Sequence, residues 1–216
     1  MNTPTDYSPA LPHPVLIDMP MPIITPRLIL RPAQTGDGMA LHEATCETWD
    51  QLSQWLPWAK TIGTPAESEI VVRQAYARFI LREDFFALGF CRDTGELLLA
   101  SGLHRFDWQI RRFEIGYWVR KSAQNKGLAT ECAHALTRYA FEVLNARAVV
   151  IDVAQGNEAS LRVPQKLDFV QEGIAQYGLL LPSGQTSHAH IYVRTDLANL
   201  PPLTITWGVP ETREGL

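Results

Sequence analysis

The stretch from Phe113 to Val153 restricts the fold of this chain more than any other part. It opens on Phe113-Glu114-Ile115-Gly116-Tyr117-Trp118-Val119, where Phe113, Ile115, Tyr117 and Val119 share one face of a strand. A glycine-opened helix pattern runs from Gly127 to Leu144. Its Leu128, Cys132, Leu136, Tyr139 and Val143 make one stripe at spacings of four and three. Ala148 to Val153 then reads as a nearly continuous apolar strand, the kind covered on both faces. Strand, helix and buried strand in that order specify a βαβ unit.

The flanking patterns add antiparallel strands. Leu28-Ile29-Leu30 reads as a first strand, and Thr35-Gly36-Asp37 starts a helix reaching about Trp49. Gln51 to Ala59 reads as a turn or short helix. Ala66 to Arg82 is predicted helical, with Ile70, Ala77 and Leu81 on one face. Phe85–Cys91 and Leu97–His104 form a hairpin about Asp93-Thr94-Gly95. After the βαβ unit come a short helix over Glu158 to Leu167 and two strands, 169–174 and 189–195. The order predicts an α/β fold with a mixed, mostly antiparallel central sheet and helices on both faces.

Seven prolines in residues 1–26 permit an extended arm at most. The expected division is an arm over 1–22, one domain over 23–197 and a peripheral tail over 198–216. The 216 residues, 46% hydrophobic, suit one well-buried domain. A formal net charge of −4 gives no electrostatic drive toward phosphate backbones, so nucleic-acid binding is not expected. Three cysteines without a C-x-x-C pair argue against a disulfide scaffold or a zinc site. No signal-peptide pattern and no bilayer-length apolar run is present, so the expectation is a cytoplasmic protein without membrane or metal.

Chemistry concentrates at Gln124-Asn125-Lys126-Gly127-Leu128-Ala129. The first turn of a helix carries free N–H groups and a positive dipole end. Gly127 and Ala129 let a diphosphate approach the backbone, and Lys126, Lys121 and Arg120 can add positive charge. With Thr25 to Pro32, Trp55-Leu56-Pro57-Trp58, Glu114 to Val119, Asn157 to Arg162 and Lys166 to Gly173, this segment resembles the GNAT superfamily. Within it, the likeness is to the Rim-type branch, which acetylates N-termini of ribosomal proteins.

The resemblance implies acetyl-CoA as cosubstrate. It implies a splayed parallel pair, 113–119 and 148–153, with pantetheine between them. Backbone groups of Tyr117, Trp118 and Val119 would hold the pantetheine and polarise the acetyl carbonyl. Gln124 through Ala129 would hold the diphosphate, and Asn157 the pantetheine arm. Glu114 matches the family's candidate base; its other reading is a buried glutamate paired with Arg105 or Arg112. Ser160 matches the branch's candidate thiol partner; its other reading is helix capping. The more usual GNAT acid is a tyrosine, and Pro164 stands at its position, where proline should also shorten or kink the helix. Asp168 replaces a family glycine. His188 replaces an aspartate and either assists the base or stands exposed at a strand start. Trp49, Trp55 and Trp58 lie where relatives form one wall of the acceptor site.

The expected acceptor is an amine: a protein or peptide N-terminus, or else a small molecule such as an antibiotic, polyamine or amino acid. A non-catalytic acyl-CoA-binding domain is the remaining reading. Relatives of this kind are monomers or homodimers.

Overall fold

The computed structural model describes residues 13–208, and among these nine strands build one sheet. The strands are β1 (Ile23–Ile24), β2 (Leu28–Pro32), β3 (Phe85–Cys91), β4 (Leu97–Asp107), β5 (Arg112–Val119), β6 (Ala148–Ala154), β7 (Val170–Leu180), β8 (Thr186–Arg194) and β9 (Thr206–Trp207). The helices are α1 (Gly38–Trp55), α2 (Pro65–Leu81), α3 (Leu128–Glu142) and α4 (Glu158–Lys166). Their spatial order is β7-β8-β6-β5-β4-β3-β2-β1-β9. Among the described strands only β5 and β6 pair in parallel, so the mixed, mostly antiparallel sheet is as expected.

The period-two patterns divide the core between the two faces. Phe113, Ile115, Val149, Ile151 and Val153 join Cys132, Leu136 and Tyr139 of α3 in the larger cluster. Leu88 and Ala100 pack with Leu41 and Ala44 of α1 and Val72 and Ala75 of α2 on the other face, where Trp118 joins them. The α1–α2 crossing is close: a Cβ on Gly38 would lie 2.5 Å from the Glu69 Cα. α2 starts with a capping box, in which the Thr64 hydroxyl accepts the Glu67 N–H and the Glu67 carboxylate accepts the Thr64 N–H.

Five local expectations change. α1 runs unbroken to Trp55, so Gln51 to Trp55 belongs to it rather than to a separate turn. Asp37 offers α1 no side-chain cap, because its carboxylate is held at 2.7 Å by both guanidinium nitrogens of Arg31. α2 buries Val72, Ala75 and Phe79, whereas Ile70 and Leu81 are exposed; apolar residues occur all round this helix, so periodicity picks the wrong face. α4 runs through Pro164 to Lys166 instead of stopping there. The tail read as peripheral contributes β9, which pairs with β1 and sets Trp207 edge-on to Tyr139 at 5.9 Å.

The arm expected over 1–22 is described only from residue 13. There Pro14–Leu16 forms a 3-10 turn, the Arg82 guanidinium donates to the Ile17 carbonyl at 2.8 Å, and Met19 is buried. Residues 1–12, with the rest of that arm, and 209–216 lie outside the described residues.

Asp168 adopts φ 56°, so the turn keeps the left-handed conformation that glycine would take freely. The buried guanidinium of Arg194 donates to the carbonyls of Leu167 and Asp168 and holds that turn.

Candidate active site

The parallel pair is short. β5 and β6 are in register only through Arg112↔Ala148, Phe113↔Val149 and Glu114↔Val150. Beyond that point the strands part, and a cavity of about 540 Å³ opens between Ile115–Val119 and Ile151–Ala154. On its other edge β5 stays on β4, and the Arg120 N–H donates to the Leu98 carbonyl at 2.8 Å. Alternation along an antiparallel ladder then turns the N–H groups of Tyr117 and Val119 toward the gap. The expected splay is therefore present, with backbone donors on its open edge.

The loop after β5 feeds α3 through two left-handed residues, Asn125 at φ 60° and Gly127 at φ 77°. Gly127 is the N-cap of α3, and among the described residues no side chain caps this helix. The first-turn amides thus face the cavity, which Gly127, Leu128, Ala129 and Thr130 line. A diphosphate fits this chemistry, since small residues and unshielded donors meet at a helix N-terminus. Arg27 adds a cation beside it: its guanidinium donates to the Lys126 carbonyl at 2.7 Å and pairs with Glu131 at 2.5 Å. Glu131 also accepts the Thr25 hydroxyl at 2.6 Å and the Arg27 N–H at 3.0 Å, which fastens α3 to the β1–β2 turn. This contact is the physical content of the Thr25-Pro26-Arg27 motif.

Two of the cations expected at this loop point elsewhere. The Arg120 guanidinium is taken by Glu47 of α1 and by Glu96, and the Lys121 ammonium lies 3.9 Å from Asp50. Hydrogen bonds from Ser122 and then from Arg120 pull the Glu47 carboxyl down to about 2. The Lys121 N–H also donates to the Thr48 hydroxyl at 3.1 Å. Gln124 turns inward, its amide donating to the Val119 carbonyl at 2.9 Å and to Gln51. α1 is thereby bound to the loop at four neighbouring positions. Lys126 reaches back to the Ser122 carbonyl at 3.1 Å.

The face of the gap toward α1 carries acid. Glu114 of β5 is partly buried, and its carboxylate lies 2.9 Å from the Arg105 guanidinium. Asp152 of β6 stands beside it, 3.7 Å from the same guanidinium. The Asp152 Oδ1 is buried without a partner among the described residues. Burial raises the affinity of both carboxyls for a proton, the Asp152 charge raises Glu114 further, and Arg105 offsets part of the effect. Arg112, the other expected partner of Glu114, pairs with Glu172 instead. Asp152 is not among the residues expected at the site, although it is the single charge in Ala148–Ala154.

The opposite face carries hydroxyls. Asn157 caps α4, its Oδ1 accepting the Ser160 N–H at 3.2 Å, so capping falls to Asn157 and leaves the Ser160 side chain free of that duty. The Ser160 Oγ lies 3.1 Å from the Tyr117 hydroxyl, and both residues line the cavity. Trp55, Leu56 and Pro57 from the end of α1 and Leu179 of β7 line it as well. Trp58 lies outside the lining and is more than half exposed. His188 also lies outside it, on the β7–β8 hairpin; its Nδ1 accepts the Tyr177 N–H at 3.1 Å and its ring packs on that tyrosine. No described helix is long and apolar enough to cross a membrane.

The chain is similar to known acetyltransferases in sequence and in fold. A putative ribosomal N-acetyltransferase of Bacillus subtilis, YdaF, is 30% identical over 156 residues, covering 72% of this chain and 85% of that protein. A solved acetyltransferase from Salmonella typhimurium, described as modifying the N-terminal serine of ribosomal protein L7/L12, is 25% identical. Its TM-score is 0.71, with 81% of this chain and 99% of that one covered. A RimL acetyltransferase solved with coenzyme A shares the fold at TM-score 0.75 and 23% identity, over 82% of this chain and 98% of that one. Residues 27–170 match the family model described as the acetyltransferase (GNAT) domain, and the chain belongs to that family of acyltransferases.

Proposed function

We propose that the protein moves an acetyl group from acetyl-CoA to the α-amine of a protein or peptide N-terminus. The observation that carries this reading is the parted β5–β6 pair, which has carboxylates on one face and a serine hydroxyl on the other. Such a gap serves the two proton tasks of amide formation on opposite sides of one thioester.

When bound, acetyl-CoA supplies the activated acyl group. The first-turn amides of α3 hold its diphosphate, and the amides of Tyr117 and Val119 hold the arm and polarise the acyl carbonyl as charge develops there. Asn157 keeps its amide N–H groups for the same arm. Glu114, with Asp152 beside it, takes the proton of the incoming ammonium. Ser160 donates a hydrogen bond to the departing sulfur.

Carboxyls with raised proton affinity match an α-amine, whose pKa is about 7.7–8.0, better than a lysine-like amine at about 10.4. The Bacillus and Salmonella relatives, named or described for ribosomal-protein acetylation, point the same way. Trp55, Leu56, Pro57 and Leu179 then form the walls that receive the first residues of the peptide.

Release of free thiol from acetyl-CoA, measured against a panel of amines, tests this function. Peptides beginning with Ser or Ala are expected to be acetylated. Turnover of small amines alone would place the protein among small-molecule acetyltransferases, and CoA binding without turnover on any amine would make it a binding domain.

A further inference from the structure

Pro164 stands four residues after Ser160 inside α4. Proline has no N–H, so the Ser160 carbonyl cannot receive its usual helical donor. The Tyr117 hydroxyl fills that role, lying 3.0 Å from the Ser160 carbonyl and 3.1 Å from the Ser160 Oγ. One phenolic proton thus faces two acceptors on one residue. The Ser160 backbone is itself fixed by the bond from its N–H to Asn157.

We propose that Tyr117 is a positioning residue for Ser160, directing the serine hydroxyl at the leaving sulfur through a hydrogen bond that switches between these two acceptors. The inference rests on the reading of Ser160 as the thiol partner. At rest the tyrosine donates to the carbonyl and accepts the serine O–H. When Ser160 turns its O–H toward the sulfur, the tyrosine proton swings to the Oγ. No bond to hydrogen breaks; only two hydroxyls rotate. A hydroxyl that accepts a hydrogen bond is a stronger donor, so Ser160 gains strength as the sulfur becomes negative. Burial keeps the Tyr117 phenol neutral and therefore always a donor. Pro164 belongs to the device, because it leaves the carbonyl position open for the resting state.

Steady-state kinetics on Tyr117→Phe, Ser160→Ala and the double variant test the proposal. Tyr117→Phe should lower kcat about tenfold, the worth of one hydrogen bond, with KM for acetyl-CoA unchanged. In the Ser160→Ala background it should lower kcat no further. If the two effects multiply instead, Tyr117 does not act through Ser160 and this inference falls, while the role of Ser160 stands. If Ser160→Ala alone leaves kcat intact, the reading of Ser160 falls and takes the inference with it. A second pair separates mechanism from structure. Pro164→Ala returns an N–H to the Ser160 carbonyl, so the double variant Pro164→Ala/Tyr117→Phe should stay as slow as Tyr117→Phe. Recovery of kcat in that double variant would show that the hydroxyl serves the carbonyl alone, and would overturn the proposal.

Discussion

The cofactor side and the acceptor side proposed for the cavity are built by different means. The cofactor side is mostly main chain: amides at the start of α3, an open edge of β5, and left-handed turns at Asn125 and Gly127. The acceptor side is mostly side chain: Arg105 from β4, Glu114 from β5, Asp152 from β6, Trp55 from α1 and Leu179 from β7. Main-chain sites depend on local conformation and tolerate few residue types. Side-chain sites can be rebuilt one residue at a time, which suits a scaffold that keeps its donor and changes its acceptor.

The sharpest way to break the contrast is a side chain placed in the main-chain half. Gly127→Glu forces a left-handed φ on a carboxylate and sets a like charge where phosphate would lie. Strain and repulsion together should weaken CoA binding by roughly a hundredfold or more, read by calorimetry. A thermal melt close to wild type would show that the fold survives. Unchanged CoA affinity would mean that the cradle is elsewhere.

The matching change on the acceptor side is Glu114→Gln. It should cut kcat by about a hundredfold and leave KM for acetyl-CoA alone. In the wild type the acidic limb of kcat/KM should lie above the ordinary carboxylate range, because burial and Asp152 raise Glu114. In the variant that limb should vanish. A pH profile identical to wild type removes Glu114 as the base.

The same division explains what sequence could show. Gln124 to Ala129 is contiguous, so a glycine-opened helix after a strand was legible there, while its reading as a diphosphate cradle drew on the surrounding motifs and the family resemblance. The splay was legible only through family resemblance, since nothing in 113–119 or 148–153 says where pairing stops. The acceptor side joins residues from Trp55 to Leu179, and no spacing links them. Asp152 carries a usable signal, a lone charge in an apolar strand. Trp58 and His188 carried equally suggestive side chains, yet neither lines the cavity. In α2, whose apolar residues are spread around the helix, the pattern does not single out the buried face of Val72, Ala75 and Phe79, which is set by tertiary packing.

The two tryptophans sharpen the acceptor side further. Trp55 lines the cavity, and Trp58 does not. Trp55→Ala should raise KM for a peptide acceptor about tenfold, the worth of a modest aromatic contact, while KM for acetyl-CoA moves little. Trp58→Ala should change neither by more than about twofold, as expected of an exposed residue. Equal effects at the two positions would place the acceptor groove outside the cavity.

Asp152→Asn has the smallest expected effect, and it tests whether the acceptor side gives up stability for chemistry. The groups facing this carboxylate are Glu114 and Arg112 of β5, Arg105 of β4 and Glu172 of β7, with His104 of β4 acting on Glu114. Burial raises the proton affinity of Asp152 in the folded state, so its ionised form is penalised there relative to the unfolded chain. The penalty is absent below the unfolded carboxyl range, at about pH 4, and is complete once pH has risen through the folded value. Asp152→Asn should therefore raise Tm at neutral pH, and the gain should fade as the melts are repeated toward pH 4. Removing this charge also removes part of what raises Glu114, so the acidic limb of kcat/KM should move to lower pH. A stabler variant with an unmoved limb would show that the two carboxyls titrate independently, and would leave Glu114 to take the proton alone.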